Sequence, residues 1–155
     1  EKAGNSLLYS MVMGNYTFGS RITGINDMPI NDKLFILQSD IIKSAADKGP
    51  CVIIGRCGDY ILREYDNVFR VFIHANKEAR IKRILSKGLC DEKKVSDFIT
   101  KRDKQRANYY NFYSNKRWDD LSNYHLTIDS SEFDIDEVAE IIITAIGKIK
   151  PPAKK

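Results

Sequence analysis

Arginines at short spacing, one of them paired with an aspartate, are the most chemically suggestive residues of this sequence. Arg80 and Arg83 are three residues apart, and so are Asp103 and Arg106. In a helix this spacing places both side chains on one face. An acid and a base presented together could hold a ribose hydroxyl and a phosphate of one small molecule, because guanidinium groups bind phosphate through paired N–H donors. An ion pair between Asp103 and Arg106 is the simpler alternative, and the pattern alone favours it.

A further arginine follows a short apolar run. Arg56 comes directly after Gly55, and residues 51–54 before it are apolar and rich in β-branched side chains. Such a run is typical of a strand buried on both faces in a parallel sheet. Glycine lets the backbone approach a ligand closely, and an arginine at the edge of a sheet can bind a phosphate. An ion pair of Arg56 with a nearby carboxylate such as Asp59 remains the alternative.

The positive charge is concentrated in one part of the chain. The formal net charge is +4, but residues 77–106 contain eleven Lys and Arg against five Asp and Glu, a local balance of +6. This fits a partner that carries phosphate, either a nucleotide or a nucleic acid, and a solvated helical face explains it as simply. An aromatic stretch that follows could stack on bases, although aromatics at helical spacing more often pack a lid or an interface. Its members are Tyr109, Tyr110, Phe112, Tyr113 and Trp118.

The remaining pattern predicts an alternation of helices and strands. Leu34, Leu37 and Ile41 recur at helical spacing after Asn31, a plausible N-cap, and Gly49 ends the helix. The other predicted elements are strands at 51–54, 68–73 and 125–128, a helix capped by Asn76 and ending at Lys87, a helix from 91 to 113, and a last helix with a capping box of Asp134 and Glu137. The order predicts an α/β fold with helices flanking a parallel sheet. Ligands bind at the carboxyl ends of parallel strands, so we expect a site among residues 55–59, 74–76 and 129–131.

Length and composition predict a single domain. The chain has 155 residues, of which 43% are hydrophobic and 30% charged, which suffices for one core and is too short for two ordinary domains. Its apolar runs of about five residues are far shorter than the ~20 that cross a bilayer, and nothing at its start marks it for secretion. Cys51, Cys57 and Cys90 lack metal-ligand spacing and indicate reduced thiols. We therefore expect a cytoplasmic protein.

Four separated segments, at residues 31–36, 49–62, 102–113 and 123–131, occur in a recognisable order. Together they resemble the cytidylate kinase-like family, a bacterial group within the P-loop nucleoside monophosphate kinases, and the resemblance runs from about Leu7 to Ile146. It implies a P-loop kinase fold, with ATP and Mg²⁺ as the phosphate donor. It also implies a nucleoside monophosphate, typically CMP, as the acceptor.

The resemblance implies which residues bind the acceptor. Arg56 aligns with the arginine of a Gly-Arg-Asp motif, which binds the acceptor phosphate. Asp103 and Arg106 resemble an Asp-x-x-Arg pair that contacts the acceptor ribose and phosphate. Cys57 occupies the place of the motif's aspartate, whose role is then lost or shifted to Asp59.

The resemblance implies donor-side roles as well. Arg80 and Arg83 align with the arginines that lead into the lid over the donor phosphates, which makes them the catalytic candidates. Asp129 and Ser130 resemble the loop that borders the donor base. No residue is assigned to a metal.

The phosphate-binding loop of the family has no counterpart in this sequence. That loop is rich in glycine, carries a lysine and connects a strand to a helix. The nearest stretch, from Gly14 to Ser20, lacks the lysine and is not followed by a helical pattern, so we reject it. The first strand and the P-loop are therefore expected to be missing, because the family would place them before Glu1.

We expect one kinase-like domain over residues 1–150. Its predicted parts are acceptor-side helices and loop at 1–50, core strands at 51–76, a lid region with flanking helices at 77–117, a core strand and C-terminal helix at 123–149, and a tail at 151–155. The predicted function is transfer of the ATP γ-phosphate to CMP or a similar small acceptor, with this chain inactive by itself. The alternatives are a nucleotide-binding or regulatory module without catalysis and, more weakly, a binder of single-stranded nucleic acid. The expected partners are small nucleotides rather than a membrane, and a homo-oligomer remains open.

Overall fold

The computed structural model describes residues 28–149. The chain divides after Tyr65 into two compact units, which are described separately. The first contains helices α1 (Ile30–Lys48) and α2 (Gly58–Ile61); the second contains β1 (Val71–His74), α3 (Lys77–Ser86), α4 (Val95–Ser114), a 3₁₀ turn (Leu121–Asn123), β2 (Leu126–Asp129) and α5 (Ile135–Gly147). An α/β fold with a small parallel sheet is confirmed. The stretch from Gly14 to Ser20 and the predicted tail lie outside the described residues.

Helix α1 exists as predicted, but its start and its buried face differ. It begins after Pro29, whose carbonyl accepts from the N–H groups of Asp32 and Lys33, so Asn31 is not the N-cap. Proline suits this position because its fixed φ and missing N–H cost nothing at a helix start. The buried residues are Phe35, Ser39 and Ile42, whereas the predicted face of Leu34, Leu37 and Ile41 is exposed. Apolar side chains lie on both faces of α1, so the spacing does not decide which face packs.

The predicted strand at residues 51–54 is wrong. This segment has no regular secondary structure, and Val52 and Ile54 are 91% and 89% exposed. A strand needs a hydrogen-bonded neighbour, and within the described residues the sheet contains only β1 and β2. Ile53 is half-buried and lies over α2, where a Cβ at Gly58 would be 2.8 Å from its Cγ2.

The second unit is built on the parallel pair β1 and β2. Val71 lies opposite Leu126 and His74 lies opposite Asp129, so both strands end at the same edge. β1 begins three residues later than the predicted strand at 68–73. Parallel strands require a long crossover, and α3 and α4 lie in the chain between them.

Helices α3 and α5 begin where local signals place them. The Asn76 side chain accepts from the N–H of Ala79 at 2.8 Å, which confirms the predicted N-cap of α3. The capping box of α5 is confirmed, since Asp134 accepts from Glu137 N–H and Glu137 from Asp134 N–H, both at 2.9 Å. α4 begins later than predicted, at Val95, and packs against α3.

Two further features of the described residues bear on the sequence predictions. No helix between residues 28 and 149 is long and apolar enough to cross a membrane. Cys51, Cys57 and Cys90 are all free thiols, as the sequence predicts.

Candidate functional site

Three charged side chains meet where α3 packs against α4. The two terminal nitrogens of Arg80 donate to the two carboxylate oxygens of Asp103, each at 2.7 Å. Arg106, one turn further along α4, donates through Nη1 to Asp103 Oδ1 at 3.3 Å. We call Arg80, Asp103 and Arg106 the arginine–aspartate cluster. It joins a predicted catalytic residue to both members of the predicted acceptor pair, and it carries a formal charge of +1.

The arginine–aspartate cluster is partly open to solvent. The side chains of Arg80 and Asp103 are each 30% exposed, and that of Arg106 is 60% exposed. Hydrogen bonding to Asp103 raises the pKa of Arg80, and burial opposes this only in part. Arg80 therefore keeps its charge, and the cluster can be reached by an anion from solvent. The Asp103–Arg106 ion pair that the sequence left as an alternative is present.

Arg83 lies one turn beyond Arg80 on α3 and reaches the end of the sheet. Its Nη2 donates to the Ser130 carbonyl at 3.0 Å, and its Nη1 lies 3.4 Å from Ser130 Oγ. Ser130 in turn donates to the His74 carbonyl through its N–H at 2.7 Å and its hydroxyl at 2.9 Å. Arg83 thus connects α3 to the carboxyl ends of both strands.

Asp129 organises the turn after β2. Its Oδ1 accepts from the N–H and the hydroxyl of Ser131, and these hydrogen bonds lower the pKa of Asp129, with a smaller contribution from the nearby His74. The hydroxyl of Ser131 also accepts from the N–H of Asn76 at 2.8 Å. The start of α3 and the turn at 129–131 are therefore held together at the strand ends.

Arg56 lies in a left-handed turn of the first unit. Gly55, Arg56 and Cys57 have φ angles of 67°, 54° and 57°, a conformation that costs energy at the two non-glycine positions. Burial, reinforced by the charge of Asp59, raises the pKa of Cys57 to about 12, against a smaller opposing effect of Arg56. The thiol in the place of the family's aspartate is therefore neutral and buried. Asp59 is half-buried in the first turn of α2.

The structure brings six of the eight predicted site residues together in two groups of the second unit. Arg80 meets Asp103 and Arg106, and Arg83 meets Ser130, which follows Asp129. Arg56 and Asp59 belong to the first unit. His74, Asn76 and Ser131 lie in the regions expected to form a site, directly after predicted strands. Of these three, only Asn76 had a predicted role, as a helix cap, and none was named as a site residue.

Aromatic side chains of the second unit pack mainly against each other. Phe72 of β1 lies 5.5 Å from Trp118 and 4.9 Å from Tyr124, measured between ring centroids. On α4, Tyr109 and Tyr113 are 4.9 Å apart, and Tyr110 is buried. These contacts favour packing over a stacking surface for bases. Between residues 28 and 149, no three His, Cys, Asp or Glu side chains come together as potential metal ligands.

A family model described as "Cytidylate kinase-like family" matches residues 1–132 of this chain. The chain belongs to the cytidylate kinase-like family.

Two curated relatives of this family member are both named cytidylate kinase. The protein from Methanosarcina barkeri (strain Fusaro / DSM 804) is 31% identical over 106 residues, which are 65% of this chain and 57% of the relative. The protein from Methanoculleus marisnigri (strain ATCC 35101 / DSM 1498 / JR1) is 26% identical over 122 residues, which are 79% of this chain and 65% of the relative. The chain thus spans less than two thirds of either relative.

A solved structure shares the fold of this family member. It is the crystal structure of an uncharacterized protein from Eubacterium ventriosum ATCC 27560, with a TM-score of 0.72 and 31% sequence identity. The superposition covers 77% of this chain and 76% of that protein.

Proposed function

We propose that the chain is part of a nucleoside monophosphate kinase that transfers the γ-phosphate of ATP to CMP or a similar small acceptor. The observation that carries the proposal is the meeting of Arg80, Asp103 and Arg106 from two helices, in a chain of this family. Two guanidinium groups beside one carboxylate suit a ligand that carries a phosphate and a ribose. We also propose that residues 1–150 form one kinase-like domain, with acceptor-side helices and loop at 1–50, a lid region with flanking helices at 77–117, and a core strand and C-terminal helix at 123–149. In this division the region at 51–76 contributes β1 as its strand.

The proposed roles follow the charges that develop during phosphoryl transfer. Such enzymes do little covalent work, and they accelerate the reaction by placing donor and acceptor in line and stabilising charge on the transferred group. Arg56 and Arg106 bind the acceptor phosphate and Asp103 orients its ribose, while Arg80 and Arg83 act on the donor phosphates. Asp59 assists Arg56 in place of the aspartate that Cys57 replaces.

The donor nucleotide is proposed to bind at the carboxyl ends of the strands. Asp129 and Ser130 border the donor base, and Arg83 already contacts Ser130. Mg²⁺ usually binds through substrate phosphates, waters and one or two carboxylates rather than in an all-protein cage. The arginines proposed to contact the donor phosphates cannot ligate a cation, so Mg²⁺ would bind mainly to those phosphates and to water. When bound with ATP, the metal would neutralise phosphate charge.

We further propose that the phosphate loop lies in a segment before Glu1 of the natural protein. Support comes from the sequence, which has no glycine-rich stretch with a lysine between a strand and a helix, and from the curated relatives, of which the chain spans 57% and 65%. This loop would provide the main cradle for the donor phosphates.

The experiment that tests the function is a kinase assay on a protein that includes the upstream segment. Arg106→Ala should lower kcat/KM for CMP by about 10- to 100-fold, the range expected when a charge-assisted hydrogen bond is lost. Lys104→Ala removes a cation from the same helix outside the arginine–aspartate cluster and should change kcat/KM less than twofold, about the effect of a surface charge. Equal kinetics of the two variants with every nucleoside monophosphate tested would contradict the proposal.

A nucleotide-binding module without catalysis is the second candidate. The buried, neutral Cys57 at the place of the motif's aspartate favours it. Calorimetry with CMP, UMP and AMP, followed by the kinase assay, separates the two, since a module binds without turnover. A binder of single-stranded nucleic acid is disfavoured by the packing of Trp118 on Phe72.

A further inference from the structure

We propose that Asp103 occupies the phosphate-binding position of Arg80 and must be displaced by an incoming phosphate. The inference rests on the phosphate-binding role proposed above. The contact between the two residues is bidentate, since both terminal nitrogens of Arg80 donate to Asp103 at 2.7 Å. Carboxylate and phosphate present the same paired acceptors to a guanidinium fork. The carboxylate therefore fills the geometry that a phosphate would need.

Arg106 provides the first point of contact for the anion. It is twice as exposed as Arg80, at 60% against 30%, and its contact with Asp103 is longer, at 3.3 Å. A phosphate that binds Arg106 is then close to Arg80 and repels the carboxylate of Asp103. The exchange replaces one bidentate contact of Arg80 with another, so most of its hydrogen-bond energy is kept. The arginine–aspartate cluster thus exchanges an internal anion for an external one.

Displacement of Asp103 by phosphate and a contact of Asp103 with ribose alone predict different changes in pyrophosphate affinity when the carboxylate is removed. Inorganic pyrophosphate has no ribose, so loss of a ribose contact would leave its binding unchanged. If the carboxylate competes with phosphate, Asp103→Asn should tighten the binding of pyrophosphate. The substitution also removes a negative charge, and this general effect needs a control.

The test is calorimetric titration of the whole chain with pyrophosphate. Asp103→Asn should bind about fivefold more tightly than the native chain, which corresponds to the upper range for a partly exposed ion pair. Asp97→Asn makes the same charge change at an exposed position of α4 and should change the affinity less than twofold, as a surface charge does. The gain should disappear in the double variant Asp103→Asn/Arg80→Ala. Competition by CMP or by ATP for the bound pyrophosphate identifies which substrate supplies the phosphate.

Three results would overturn the inference: no tighter binding by Asp103→Asn than by Asp97→Asn, a gain that persists without Arg80, or no binding of pyrophosphate at all. A second measurement on the native chain does not depend on any variant folding. The guanidinium ¹⁵N signals of Arg80 should shift during the titration, and a shift confined to Arg106 would contradict displacement. Failure here is distinct from failure of the proposed function, which the kinase assay measures as turnover.

Discussion

Gly58 leaves the space that the side chain of Ile53 occupies. A Cβ at this position would lie 2.8 Å from Cγ2 of Ile53, which is closer than packed carbon atoms approach. The glycine therefore allows Ile53 to lie over α2, while Val52 and Ile54 on either side point outward. Gly58 belongs to the segment that carries Arg56, so its size affects a proposed acceptor residue.

Gly58→Ala should destabilise the protein by about 1–3 kcal/mol, the usual cost of forcing extra atoms into a packed site. Urea unfolding measures the change. Gly147→Ala is the matched control, because a Cβ there meets nothing within 4 Å, and it should be neutral or stabilising. Ile53→Ala should relieve most of the cost in the double variant. Equal stability of the two glycine variants would show that Ile53 moves aside freely.

Arg70 and His125, the residues just before β1 and β2, make a contact that ionisation of the histidine should weaken. Arg70 donates its N–H to His125 Nδ1 at 3.1 Å, and Arg70 Nη2 lies 2.8 Å from Nε2. Burial lowers the pKa of His125, and the charge of Arg70 lowers it further. The neutral imidazole offers one acceptor nitrogen to these two donors. Protonation would remove that acceptor and place a second positive charge beside the guanidinium.

Stability should therefore fall as the pH falls below about 6.5, the ordinary pKa that the histidine regains in the unfolded chain. In this range the unfolded state binds more protons than the folded state, so acid favours unfolding, and the loss ends below the lowered pKa. Urea unfolding between about pH 7.5 and about pH 5 measures how the stability depends on pH. His125→Asn keeps an acceptor and removes the titration, so its pH dependence should be shallower. An unchanged dependence would place the effect elsewhere.

At the scale of the whole molecule, α3 of the second unit contacts two groups of charged and polar residues. Arg80 connects α3 to α4, and Arg83 connects α3 to the strand ends. Arginines that would act on phosphates are thus engaged with protein groups in this structure. Strong binding of a nucleotide has to replace those contacts.

We expect these 155 residues alone to bind pyrophosphate and to transfer no phosphate. The reason is that arginines can hold an anion, whereas the donor phosphates of this class of kinase need a glycine-rich loop with its lysine. A coupled kinase assay with ATP and CMP measures turnover, and calorimetry on the same preparation shows that the sites are intact. Turnover by the chain alone would contradict the prediction, and activity should appear when the upstream segment is added.

Part of the fold and of the site could be predicted because their causes are local. The caps at Asn76 and Asp134 need only a side chain and an N–H three residues away, so sequence determines them. The same holds for the Asp103–Arg106 pair on one helix face. The family resemblance is carried by motifs along the chain, and the family match confirms it.

Other features were decided by contacts between distant residues. Spacing could not show which face of α1 packs, since both faces are apolar, nor that residues 51–54 would lack a hydrogen-bonded partner among the described strands. It also could not show that Asp103 pairs most closely with Arg80, 23 positions away, or that Arg83 reaches Ser130 across 47 positions. Local rules act over one helical turn, whereas these contacts exist only once helices and strands have packed.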